Sequence, residues 1–105
     1  MESATRRNVA MNAQLESRYE VIVIAGPPRG DLYELEQKTT YQVVDRHSEQ
    51  ILMVFESLME ASLSRDTGMW DDYTFTGVSE VAIAADEKSV AIKYYDSHEE
   101  IIPLP

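Results

Sequence analysis

Ser48 to Ser64, SEQILMVFESLMEASLS, constrains what this chain can fold into more than any other stretch. Its polar residues Glu49, Gln50, Glu56, Ser57, Glu60 and Ser64 recur at helical spacing, while Ile51, Leu52, Val54, Phe55, Leu58 and Met59 gather on the other side. The spacing predicts an amphipathic helix. Asp45 or Ser48 suits its N-cap, Glu49 the positive end of its dipole and Arg65 the negative end, with Gly68 just beyond. A second period runs through the same residues, because Ile51, Met53, Phe55, Met59, Ala61 and Leu63 also alternate. On that period Val43 to Phe55 would be a hairpin turning at His47 and Ser48. Intrinsic propensity decides for the helix, since the stretch is rich in Leu, Met, Glu and Ala.

The rest of the chain reads mainly as strand. Tyr19, Val21, Val23 and Ala25 alternate with Ile22 and Ile24, and apolar character on both faces predicts an interior strand over Arg18 to Ala25. Gly26-Pro27-Pro28-Arg29-Gly30 ends it, because the prolines donate no backbone N–H. Asp31 to Lys38 is ambiguous between a helical turn and an edge segment, whereas Thr39 to Val44 has the pattern of a half-covered strand. Arg65 to Asp72 reads as a polar loop. Beyond it, Tyr73 to Phe75, Val81 to Ala84, Val90 to Tyr95 and Ile101 to Leu104 alternate around turns at Asp86–Ser89 and Asp96–Glu99, which predicts a three-stranded meander. Residues 1–17 lack an apolar face and are expected to be a flexible tail.

The expectation is therefore a single α+β domain over residues 18–105. Its antiparallel sheet has four or five strands, with the amphipathic helix packed on one face. A small all-β barrel is the alternative if the organising stretch is a strand.

Charge narrows function by exclusion. Of 105 residues, 19 are acidic and 9 basic, a formal charge of −10. That field repels phosphate backbones and anionic bilayers, so neither nucleic acid nor a membrane is an expected partner, and a basic protein is. Without cysteine there is no disulfide, thiol nucleophile or cysteine zinc site. The longest apolar runs, Val21 to Ala25, Ile51 to Phe55 and Val81 to Ala85, are too short to span a bilayer as helices, and a cytoplasmic protein is expected.

No motif supplies a mechanism. Gly26 to Gly30 follows a strand as a phosphate-binding loop does, but the required Lys-Ser/Thr end is replaced by Asp31-Leu32. Asp66-Thr67-Gly68 matches the catalytic tripeptide of aspartic proteases in three residues only, and polar Ser64 and Arg65 precede it where an apolar strand is needed to bury a carboxylate dyad. Asp66, Asp71 and Asp72 lack the spacing of a calcium loop. His47 and His98 lie in separate turns and form no ligand pair.

No catalytic residue, cofactor or metal site is assigned. The composition favours a small acidic interaction or regulatory protein, an adaptor or inhibitor of a more basic partner, with a homo-oligomer also compatible. Its expected contact residues are Trp70, Tyr73 and Phe75, since large rings desolvate much area at little rotamer cost, with Asp66, Asp71 and Asp72 steering the partner. The alternative is a ligand-binding or enzymatic domain assembled from distant residues such as His98, Asp66 and Arg29.

Overall fold

A computed structural model of the chain describes residues 17–105, so the expected tail over residues 1–17 lies outside it except for Ser17. Seven strands follow in order: β1 (Tyr19–Ala25), β2 (Arg29–Gly30), β3 (Glu34–Asp45), β4 (Gln50–Leu63), β5 (Trp70–Ile83), β6 (Ser89–Tyr94) and β7 (Glu99–Pro103). The described residues contain no helix. All pairings are antiparallel, in the order β1-β3-β4-β5-β6-β7, with β2 extending the β1 side of β3. The protein is all-β rather than α+β, and its sheet is open rather than closed into a barrel.

The amphipathic helix over Ser48 to Ser64 is thus corrected to β4. Asp45 to Gln50 closes a long hairpin, and β3 and β4 pair from Glu34–Ser62 down to Asp45–Gln50. Met53, Phe55, Ser57, Met59, Ala61 and Leu63 take one face, the period-2 set that runs through the sequence except for Ile51, which falls on the other face. Helix propensity differs by only tenths of a kcal/mol per residue, less than the ladder and cross-strand contacts offered by a long partner strand. Leu52 is the one extra residue, a bulge opposite Val43 and Val44.

Two further expectations change. β1 sits at the sheet edge, paired with β3 alone, not in the interior. The loop expected over Arg65 to Asp72 ends early, because β5 starts at Trp70. The meander of β5, β6 and β7 forms as the alternation predicts.

β5 gives the molecule its shape. Its first half pairs with β4 as far as Gly77, and its second half, from Val78 onward, pairs with β6. Gly77 has φ +84°, and a Cβ there would lie 2.4 Å from the Glu56 carbonyl oxygen, so only glycine allows the strands to part at this point. The sheet folds over below this pivot. Val43, Val78, Val90 and Ile92 form its buried centre, with Val21, Met53, Phe55, Ile83 and Ile102 packed around them. Above the pivot, the upper parts of β3, β4 and β5, with β2 alongside, project as an arm, and the described residues measure 51 × 33 × 23 Å.

A polar clamp closes the core end. Asp45 is buried, and the Arg18 guanidinium donates to both its carboxylate oxygens, with Nη2 2.8 Å from Oδ2. The Tyr19 hydroxyl donates to the Pro105 carbonyl at 2.7 Å, tying the first strand to the end of the meander.

Candidate interaction surface

The arm has two unlike faces. Ladder partners share a side, so Leu35, Gln37, Thr39 and Tyr41 of β3 lie with Phe55, Ser57, Met59, Ala61 and Leu63 of β4 on the face continuous with the core. Phe75 joins them opposite Met59, and Trp70 opposite Leu63. None of these side chains is charged.

A bulge in β5 assembles the aromatic row. Two steps along β4, from Glu60 to Ser62, oppose three along β5, from Thr74 to Asp71, and Asp72 takes φ +54°. Strict alternation would place Trp70 on the face opposite Tyr73 and Phe75. The extra residue rephases the strand, so that all three rings share the inner face. Tyr73 is 54% exposed and Phe75 47%, whereas Trp70 is half-buried at the start of the strand. Tyr95, just past β6, stacks on Phe75 with centroids 5.3 Å apart and extends the row toward the core. Gln37, Tyr41, Met59, Tyr73, Phe75 and Tyr95 line an open hollow of about 330 Å³ there.

Acids occupy the outer face. Glu36 stands directly opposite Glu60, with Arg29 beyond Glu36 and Thr74 beyond Glu60. Asp31, Glu34 and Asp72 border the same outer hollow, about 420 Å³ in volume. Like charges facing each other across a ladder destabilise it, so this row is not there for the stability of the sheet. Asp31 accepts the N–H groups of Tyr33 and Glu34 at 2.8 and 2.9 Å, which hold its carboxyl below the usual range.

Of the expected contact residues, Tyr73, Phe75 and Trp70 come together on one face. Asp72 borders the outer hollow, Asp71 pairs with Ser62 in the strand, and Asp66 lies in the exposed turn between β4 and β5. The aromatics and acids of this segment therefore belong largely to different sides of the arm. Tyr95, Tyr41 and Met59 escaped the sequence reading, because nothing local links them to residue 75 before the strands are paired. No protein-family model matches the chain, and no match was found among curated proteins or among solved structures.

The residues proposed for an assembled catalytic site are set apart. Asp66 precedes β5, while His98 follows β6 and stacks on Tyr94, which pairs with Val78 in the middle of β5. Half the length of that strand, roughly 25 Å at ~3.3 Å per residue, separates the two regions. Arg29 lies on the outer face of the arm. Among the described residues no group of three or more His, Asp or Glu is placed to hold a metal ion, and no helix is long and apolar enough to cross a membrane.

Proposed function

We propose that this chain is a small cytoplasmic interaction module that holds a more basic protein partner on the inner face of its arm. The observation that carries the reading is the uncharged row Trp70, Tyr73, Phe75 and Tyr95 in a chain of net charge −10. Interface centres are depleted of charge and enriched in aromatic rings, and a charged surround accelerates encounter with an oppositely charged partner. The carboxylates on the back of the arm supply that field, and the same field disfavours nucleic acid and anionic membranes. Burial points the same way. Among the described residues twelve large apolar side chains are exposed and six apolar ones are buried, so this sheet leaves unusually much apolar surface for a partner to cover.

The test is affinity capture from the host, followed by titration of the purified partner against the single tryptophan's fluorescence. The partner is expected to be basic and to bind less tightly as salt rises. Tyr73→Ala and Phe75→Ala, both at exposed positions, should each weaken binding by about 2 kcal/mol or more while the fold is kept. A partner bound equally by both variants and indifferent to salt would refute the reading.

A further inference from the structure

β1 is apolar on both faces although it lies at the sheet edge. Tyr19 and Val21 face the core, while Ile22 and Ile24 point to the opposite, outer face. The register carries that outer face across the sheet. Ile22, Gln42 and Val54 form one row, Glu20, Val44 and Ile51 the next, and Ile24, Thr40 and Glu56 the row above. Ile22, Ile24, Val44, Ile51 and Val54 thus tile one surface on β1, β3 and β4, below the acidic part of the arm. Four of them, Ile22, Ile24, Ile51 and Val54, are between 36% and 54% exposed.

The surface is also electrically quiet. The two acids that frame it are matched within the chain, Glu20 by Arg46 at 3.3 Å and Glu56 by Lys38 at 3.7 Å. Thr40 and Gln42 between them are uncharged. In a molecule of net charge −10, this is a place where another equally acidic molecule can approach without carboxylate facing carboxylate.

We propose that this outer face of β1, β3 and β4 is a contact between two copies of the chain, the patch of one seated on the same patch of the other. A basic partner has no unmatched acid to meet there, and a polyanion or anionic bilayer is repelled by the whole molecule. A second copy brings apolar to apolar and neutral rim to neutral rim, which is the self-complementarity a two-fold contact requires. β-Branched sheet faces stack well, with strand directions inclined by about 30°. Covering five such residues on each side removes on the order of 1,000 Å² in total, the lower bound for a specific interface, so a weak, reversible contact is expected. It is independent of the inner face proposed to hold a basic partner, and its salt dependence has the opposite sign. Screening strengthens association between two acidic chains and weakens binding of a basic protein.

Sedimentation equilibrium of the full chain, from about 1 µM to about 1 mM at two ionic strengths, tests this over the range where such an interface dissociates. The mean mass should rise from 11.9 kDa toward twice that value, and at lower protein concentration when salt is raised. Val54→Lys and Ile24→Lys should each shift the midpoint at least tenfold upward in concentration. Circular dichroism should show the wild-type strand signal, because both side chains are exposed. Ile22→Ser serves the same purpose should a lysine variant fail to fold. Phe75→Ala, on the inner face, should leave self-association unchanged. A chain that stays at 11.9 kDa throughout, or one whose association is abolished by Phe75→Ala and untouched by the three patch variants, overturns the proposal.

Discussion

Asp45 shows how one side chain serves several elements. It ends β3, accepts the His47 N–H at 2.9 Å in the hairpin turn, and receives the Arg18 guanidinium from the start of β1. Capping chemistry was legible in the sequence, where Asp45 reads as a candidate N-cap, and the carboxylate does accept an N–H two residues on. It caps a turn and not a helix. The hydrogen bonds from Arg18, followed by the His47 N–H and the positive charge of Arg18, hold the Asp45 carboxyl well below the usual carboxylate range despite its burial. A depressed carboxylate stabilises the fold fully above its unfolded pKa, about 3.9, and loses that contribution as pH falls toward the folded value. Asp45→Asn should therefore be less stable than wild type at neutral pH, with the gap shrinking progressively below about pH 4. Urea melts of both proteins across that range would check the sign, and a gap independent of pH would detach the stabilisation from the Asp45 charge.

At the scale of elements, β4 and β5 decide the architecture together. β4 is one long strand because β3 pairs with it along nearly its whole length, with Leu52 as the single bulge, and β5 is two half-strands because Gly77 lets it leave β4 and turn onto β6. Gly77→Ala places a methyl carbon against the Glu56 carbonyl and a side chain in left-handed backbone space, so it should cost about 2 kcal/mol or more. Gly68→Ala is the matched control. Its φ is also positive, +71°, but a Cβ there meets nothing within 4 Å, and it should cost less. Equal midpoints for the two variants in denaturant would mean that the crossing at residue 77 is not a steric pivot. The bulge at Asp72 is the other local device, since it alone brings Trp70 round to the face of Phe75.

For the whole molecule, charge and burial act in opposition. The small core sits at one end, while a chain of net charge −10 repels itself along the arm, most directly at Glu36 and Glu60. Raising ionic strength from about 10 mM to about 150 mM shortens the screening length from ~30 Å to ~8 Å and should raise the unfolding midpoint. Scanning calorimetry at low protein concentration separates this effect from self-association. An unchanged midpoint would mean that the acids are spaced widely enough not to matter.

Some strand positions, the turns of the meander and the charge were determined locally. β1, the meander β5-β6-β7, both of its turns and the aromatic pair Tyr73 and Phe75 follow from alternation and turn chemistry within a few residues of each position. The state of residues 50–63 was not determined there, because the stretch satisfies a 3.6-residue and a 2-residue period at once. Only the pairing with β3, a strand whose upper half is ambiguous by itself, broke the tie in favour of β. The same holds for β1. Apolar residues on both faces require cover on both, but sequence does not say whether that cover comes from the same chain, and in this fold Ile22 and Ile24 on the outer face of β1 stay exposed. The candidate surface is likewise a product of register. Trp70, Tyr95, Tyr41 and Met59 come from three strands and the end of a fourth, and they share a face only once those strands are paired and one residue is bulged out of phase.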